Sequence, residues 1–450
     1  MKRKFLFLLL PAFGLLMFSC KKEKAKPVTP PVIPPVIVVP ENDTLQTGVY
    51  TIASSLTPTK AIGILASASP DALQLNPGRT MNNVDYLAYN NEQKWKITRY
   101  GDYYKIVSAF SGLPLALPAS GKALVQQKPR VSDSLLWKVT YNVKTKAYQI
   151  ANKSSLQKLV LDTANHTTIS LDTATQYWKF TATKCSKLDT VTTHSDSMNK
   201  DIKAVVVTPA SYGDGRSYPV VYLLHGWGDN YLGFSNNAPQ IRDLADKYNF
   251  IIVCADGAFS SWYVNSVWDN KSTVKYETYV SSELVNYTDT HYKTIAARTG
   301  RAILGYSMGG HGALYNAMRH QDVFAAAGSM SGCVDLTFVG DQSLRGIYDL
   351  SIGAELGPYS GATKINWVNN SVVNMIGLLK TDGSLAINVD CGENDSDGFY
   401  PMNGALDAEL TAAGIPHTYS HRPGIHSWSY WNGSVPVQFA FFAAHLDVAK

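Results

Sequence analysis

Cysteine is scarce in this chain, five in 450 residues. None has the short spacing to another cysteine or to histidine that a zinc or haem site needs, so those chemistries have no footing in the sequence. Charge is also sparse, at 17% of residues, and the formal excess of +5 is spread along the chain without a basic block. Nucleic-acid binding is thereby left without compositional support. The apolar run from Phe5 to Phe18 falls short of a membrane span. Apolar and aromatic residues are plentiful at 45% and 11%. Over this length they suffice for two or three domains with filled cores.

The first apolar run follows Met1-Lys2-Arg3-Lys4 and ends at Met17-Phe18-Ser19-Cys20. A charged start, a short apolar stretch and a small residue before cysteine resemble a bacterial lipoprotein signal. That resemblance implies a signal peptide over 1–19, lipidation of Cys20 and an exported protein anchored to a membrane of the bacterial cell envelope. A plain secreted protein cut nearby is the alternative. Residues 20–44 hold Pro27, Pro30, Pro31, Pro34, Pro35 and Pro40, a density that favours extended polyproline II and reads as a stalk. Removing Cys20 leaves Cys185, Cys254, Cys333 and Cys391, which an exported protein can pair in three ways. Cys254 lies inside the apolar run Phe250–Ala255 and reads as a buried free thiol.

Residues 45–184 are short of helical periodicity and rich in brief alternating runs broken by Gly, Pro, Asn and Ser. They also repeat. Trp95, Trp137 and Trp178 recur in the settings Gln93-Lys94-Trp95, Leu135-Leu136-Trp137 and Gln176-Tyr177-Trp178. A second marker recurs at Tyr50, Tyr104 and Tyr148. Three units of this size cannot each bury a core but can share one around a threefold axis. The segment resembles the ricin-type β-trefoil lectins, whose repeats carry Gln-x-Trp; the middle unit has Leu135 in place of the glutamine. The resemblance implies sugar binding through an early aspartate, for which only the third unit offers a candidate, Asp162. A trefoil that serves as a spacer is the other reading, and the three tryptophans read as core.

From residue 185 onward, and clearly from Asp201, apolar strands alternate with helical stretches, which implies βα units on a mostly parallel sheet. Strands are expected at 202–207, 219–224, 250–255, 301–304, 325–330 and 385–389; helices at 241–248, 276–291, 310–319, 366–379 and 402–413. One stretch organises the rest. In Gly305-Tyr306-Ser307-Met308-Gly309 the glycines sit on a strand-to-helix turn, the setting in which a serine is lifted out of a sheet in a strained conformation. Val220–Asp229 is a second strand running into a Gly-rich turn, able to present a backbone N–H beside that of Met308. Ala386–Asp397 ends a late strand in carboxylates, and Ser420–Trp428 carries His426 just before a last helix. The order Ser307, Asp395, His426 is that of a serine, acid and base relay. His225 reads as structural. Trp262, Tyr263, Trp268, Trp428 and Trp431 offer a flat wall for an aromatic or sugar ring, with capping of the core as the alternative.

These motifs, HGWGDN, SWYVNS, YETYVSSEL, GYSMGGHGA, DCGEND and PGIHSW, resemble the α/β-hydrolase esterases of carbohydrate esterase family one. Feruloyl and acetylxylan esterases belong there, with S-formylglutathione hydrolases and mycolyltransferases as relatives. The resemblance implies that Ser307 is the nucleophile, His426 the base, and Trp227 and Met308 the oxyanion donors. The relatives' Gly-x-x-Asp pattern points to Asp395 as the acid, with Asp397 and Asp390 left open. It further implies two-step acyl transfer without metal or organic cofactor, on acylated plant polysaccharide or oligosaccharide. Two other functions share the sequence: an acyltransferase or short-chain esterase using the same residues, and a glycan-binding surface lipoprotein with an inactive hydrolase body.

Overall fold

The structure, a computed structural model, describes residues 44–64, 81–85, 91–117, 124–164, 169–268, 273–341, 350–395 and 398–449. The expected signal, Cys20, the proline tract before residue 44, Asp397 and residues 342–349 lie outside the described residues. No described helix is long and apolar enough to cross a membrane.

The N-terminal part is all β. Its strands are β1 (Gly48–Ser54), β2 (Lys60–Ile64), β3 (Met81–Asp85), β4 (Trp95–Tyr100), β5 (Tyr103–Ser108), β6 (Leu115–Ala116), β7 (Val125–Gln126), β8 (Trp137–Asn142), β9 (Ala147–Asn152), β10 (Lys158–Leu161), β11 (Ile169–Asp172) and β12 (Trp178–Ala182). Six of them, β1, β4, β5, β8, β9 and β12, pair in a closed antiparallel ring. The pairs β2–β3, β6–β7 and β10–β11 form one hairpin per repeat. Closure leaves the ring no free edge. Each repeat then contributes one tryptophan to the shared core. Trp95, Trp137 and Trp178 are fully buried, and their indole N–H groups donate to Ile62, Leu115 and Leu159 carbonyls at 2.9, 3.1 and 3.0 Å. Burying an indole N–H without an acceptor is costly, so each ring both fills the core and fixes its repeat's hairpin. Gln176 closes the third repeat by accepting from and donating to the Leu161 backbone, both at 2.8 Å. Leu135, in the corresponding place of the second repeat, is simply buried.

The second part is an eight-stranded sheet: β13 (Lys187–Ser195), β14 (Lys200–Thr208), β15 (Val220–Leu224), β16 (Ile251–Ala255), β17 (Arg301–Tyr306), β18 (Ala326–Met330), β19 (Ala386–Gly392) and β20 (Thr418–Arg422), ordered 13-14-16-15-17-18-19-20. The pairs β13–β14 and β14–β16 are antiparallel, and the remainder are parallel. Core clusters lie on both faces, which is why β15, β16, β17 and β18 are buried throughout. The edge strand β13 is largely exposed, with only Thr193 and Ser195 buried; its polar sequence hid it from the periodicity. The expected helix over 366–379 is divided at Ser371 into a helix Lys364–Asn370 and a 3-10 stretch Val372–Leu378.

A polar seam joins the two parts. On the hydrolase side it uses the helix Ile241–Tyr248, whose Asp243 accepts from Asn91 N and Nδ2 at 2.7 and 2.8 Å. Lys94 meets Asp246 at 3.0 Å with both side chains almost wholly buried. Arg242 donates to the Ala109 and Ser186 carbonyls at 2.5 and 2.7 Å. Such a seam is directional, and loss of either partner of the buried ion pair strands a charge.

Candidate active site

Parallel register brings the motifs to one edge of the sheet. Leu224 pairs with Gly305, Tyr306 with Met330, Met330 with Asp390, and Gly392 with Arg422. Every loop that carries a candidate residue therefore leaves at the carboxyl ends, where open α/β sheets place their sites.

Ser307 lies between β17 and the helix Met308–Arg319 with φ 56° and ψ −122°, a region costly for any residue with a Cβ. The surrounding glycines are steric necessities. A Cβ on Gly305 would stand 2.0 Å from the Gly309 carbonyl oxygen, and one on Gly309 would stand 2.1 Å from that of Leu224. A Cβ on Gly226 would come within 3.3 Å of the Ser307 Cβ, so the turn bearing Trp227 lies directly against the serine. The N–H groups of Gly228 and Asp229 are committed to Phe259 and Gly226 carbonyls. Tyr306 donates to Asp229 at 2.5 Å, tying this turn to the elbow.

Ser307 Oγ is 2.8 Å from His426 Nε2, and His426 Nδ1 is 2.8 Å from Asp395 Oδ1. An ionised carboxylate only accepts, so Nδ1 carries the hydrogen and Nε2 is left to accept from the serine. The Asp395 side chain is fully buried, while the His426 ring is 23% exposed. Phe399 and Trp431 flank that ring, with centroids at 4.3 and 4.9 Å. The other Asp395 oxygen lies 4.0 Å from the Cys391 sulfur. Burial first, then the nearby carboxylates, push that thiol's pKa well up, so it is a neutral donor beneath the acid.

What aligns the acid and base loops is backbone. Glu393 and Asn394 N–H donate to the Arg422 and Gly424 carbonyls at 3.0 and 2.9 Å, continuing the β19–β20 pairing toward both side chains. A Cβ on Gly392 would stand 2.4 Å from the Gly424 oxygen. Below them buried Asp390 accepts from Ser420, Arg422 and Ser434 at 2.9, 3.0 and 2.8 Å. That carboxylate is occupied in holding β20 and the last helix to β19, and does not meet His426. Its role was not visible in the sequence, because Arg422 and Ser434 carry no motif.

The aromatic wall needs correction. Trp262 and Tyr263 are 2% and 0% exposed; the indole donates to Ser351 Oγ at 2.6 Å and the phenol to the His225 carbonyl at 3.0 Å. They pack the core behind the site, where their apolar area is worth more than at a wet rim. Trp431 is likewise buried, and Trp428 is half-buried against Tyr306 and Phe234. Trp268 is 38% exposed. Sequence reasoning named Trp227 only for its backbone N–H and missed that its ring pairs edge to face with Phe259 at 5.3 Å, the two being 46% and 61% exposed on the loops that follow β15 and β16. His225 is structural, donating from Nδ1 to Gly226 O and accepting Gly257 N–H on Nε2, both at 2.8 Å. Cys185, Cys254, Cys333 and Cys391 are all free, so none of the three possible pairings is present among the described residues. Asp162 receives the Ala164 N–H at 2.7 Å in its own turn.

Comparison with known proteins agrees with this architecture. Residues 195–442 match the family model described as Putative esterase, and residues 91–185 match a ricin-type β-trefoil lectin domain-like model. An esterase of Mycobacterium tuberculosis is 38% identical over 132 residues, covering 29% of each chain. This chain thus spans under a third of that relative. An acetyl esterase of Caldicellulosiruptor saccharolyticus is 24% identical over 52% of this chain and 86% of its own. A diacylglycerol acyltransferase/mycolyltransferase of Mycobacterium avium is 29% identical over 54% and 78%. Among solved structures, a fluorophosphonate-binding serine hydrolase of Staphylococcus aureus superposes with TM-score 0.50 at 18% identity, over 58% of this chain and 99% of its own, a likeness of fold. Because the esterase match extends over more than half of the 450 residues, the chain belongs to the Putative esterase family, with an α/β-hydrolase body and a ricin-type β-trefoil lectin-like domain ahead of it.

Proposed function

We propose that this chain is an exported serine esterase that removes feruloyl or acetyl groups from plant polysaccharide through an acyl-enzyme. The observation that carries the reading is the unbroken series from Ser307 Oγ through His426 to Asp395, with both steps at 2.8 Å. Attack by Ser307 on the ester carbonyl passes the hydroxyl proton to His426 Nε2, and Asp395 steadies the imidazolium. The N–H groups of Trp227 and Met308 receive the negative charge that builds on the carbonyl oxygen. His426 returns the proton to the departing alcohol and then activates water, which frees the acid and restores the serine. Trp268 and Trp428 contribute apolar surface for the bound ester. In the trefoil, Asp162 is the sugar contact of the third repeat, and lipidated Cys20 anchors the protein in the cell envelope.

The acetyl esterase and the acyltransferase/mycolyltransferase among the relatives make water and a sugar hydroxyl rival acceptors for the same acyl-enzyme. The test is turnover by the full chain of methyl ferulate, p-nitrophenyl acetate and acetylated xylan, each with and without added xylo-oligosaccharide. Release of free acid from any of the three supports the esterase reading. Acyl transfer that outruns hydrolysis would replace it with the transferase, and no turnover of any ester would contradict it.

A further inference from the structure

The threefold repeat of the trefoil is broken at one place. In each repeat a tyrosine is in register with a tryptophan on the neighbouring strand: Tyr50 with Trp95, Tyr104 with Trp137, and Tyr148 with Trp178. Two residues beyond each tryptophan stand Ile97, Val139 and Phe180. Beside Tyr148 the Phe180 ring fills the junction, with centroids 5.2 Å apart, and it also reaches Tyr50 at 6.0 Å. Over Tyr50 the chain entering β1 closes in, and Gln46 O accepts the phenol at 3.0 Å. Beside Tyr104 the equivalent side chain is the smaller Val139. There a cleft of about 290 Å³ opens, with buried Tyr104 and Val139 at its base, half-buried Tyr141 on one wall, and exposed Arg99 and Asp102 around it, while the Lys138 side chain turns to the outer face with Nζ 5.7 Å from the Tyr103 ring centroid.

Charge points to the occupant. Although the whole-chain excess is only +5, it is not evenly spread as the sequence analysis expects: charge is segregated by domain. Residues 45–184 carry 16 Lys and Arg against 7 Asp and Glu, whereas residues 185–450 carry 17 against 25. The trefoil is thus a cationic body beside an anionic one, and such a field concentrates anions at its surface. The cleft lies at the small end of ligand sites, the size of one sugar ring rather than an oligosaccharide. The planar Arg99 guanidinium at its mouth suits a carboxylate; a tyrosine wall suits the C–H face of a pyranose; Asp102 suits a hydroxyl.

We propose that this cleft binds a uronate unit of an anionic polysaccharide. The carboxylate is held by the Arg99 guanidinium, and the ring lies against Tyr141. The site is separate from Asp162 and from the relay at Ser307, and it holds or fails independently of the esterase reading. Its effect is to seat the whole molecule on acidic glycan while the hydrolase works on neighbouring esters.

The test is calorimetric titration of the full chain with trigalacturonate and, as the neutral counterpart, xylotriose. Trigalacturonate should bind and xylotriose should bind at least tenfold more weakly, and raising the salt to about 0.5 M should weaken the former. The charge variant Arg99→Gln and the cleft-filling variant Val139→Phe should each lower trigalacturonate affinity by roughly tenfold or more. Asp162→Asn should leave it within about twofold. Val139→Phe installs the side chain that the third repeat already carries, and p-nitrophenyl acetate turnover by both cleft variants should match the parent. The proposal is overturned by absence of trigalacturonate binding, by equal binding of xylotriose, or by indifference to the charge variant. Should Val139→Phe fail to fold, the charge variant alone decides.

Discussion

At the residue scale, the account rests on a serine whose backbone is strained and whose hydroxyl has one nitrogen to meet. The acid behind that nitrogen is the most instructive position. Asp395→Asn keeps the volume but can offer its amide to His426, which then loses the tautomer that accepts from Ser307. We predict that turnover of p-nitrophenyl acetate falls by about 10³ to 10⁴ fold, with the Michaelis constant changed little. Asp390→Asn should behave differently. It leaves Arg422 short of a charged partner beneath the site, so thermal stability should fall before the chemistry does. Equal catalytic losses from both substitutions would contradict this division of roles.

At the element scale, the parts visible in the sequence were those whose residues are constrained locally. The elbow glycines, the apolar runs of β15 to β19 and the repeating tryptophans each answer to neighbours a few positions away. The sequence was silent where partners are distant. Trp262 and Tyr263 sit on a loop at the catalytic edge, as motif reasoning places them, but their rings turn inward because Ser351 and the His225 carbonyl await them there. Two predictions belong to this scale. Trp137→Ala removes a ring buried in the core shared by three repeats together with its bond to Leu115, and should cost about 3 to 5 kcal/mol in denaturant unfolding of the trefoil. On the helix that follows Ser307, His311 is fully buried and donates to Asn370 O at 2.8 Å. Burial lowers its pKa from 6.5 to about 4. The native state holds it neutral, so its contribution is complete above pH 6.5 and is lost as pH falls toward 4, by up to about 3 kcal/mol. His311→Gln should show a smaller loss of melting temperature across that window than the parent; an identical loss would remove His311 as its source.

At the scale of the whole molecule, the two domains meet through buried polar groups, and pH acts there in the opposite direction. Burial raises Asp243 from 3.8 to about 6, against the lowering effect of its bonds from Asn91. A carboxyl with a raised folded pKa favours the native state most below pH 3.8, and that contribution is lost as pH rises through 6. Asp243→Asn should therefore stabilise the chain at pH 7.5, by up to about 3 kcal/mol, and the gain should vanish near pH 4. Scanning calorimetry at the two pH values checks it, and destabilisation at pH 7.5 would contradict it. None of this seam was legible beforehand, since Asn91 and Asp243 carry no motif and lie in different domains. Lys94 is the sharper case: it sits inside the recognisable Gln-Lys-Trp marker, yet its fate is a buried pair with Asp246.

The central claim is that Ser307 is a nucleophile activated by His426, and active-site titration tests it most directly. A fluorophosphonate incubated with the full chain, followed by peptide mass spectrometry, should modify one site per molecule, on the peptide bearing Ser307. The rate should fall by orders of magnitude in His426→Ala, and the adduct should be absent in Ser307→Ala. An unlabelled chain, or one labelled equally well after His426 is removed, would contradict the account.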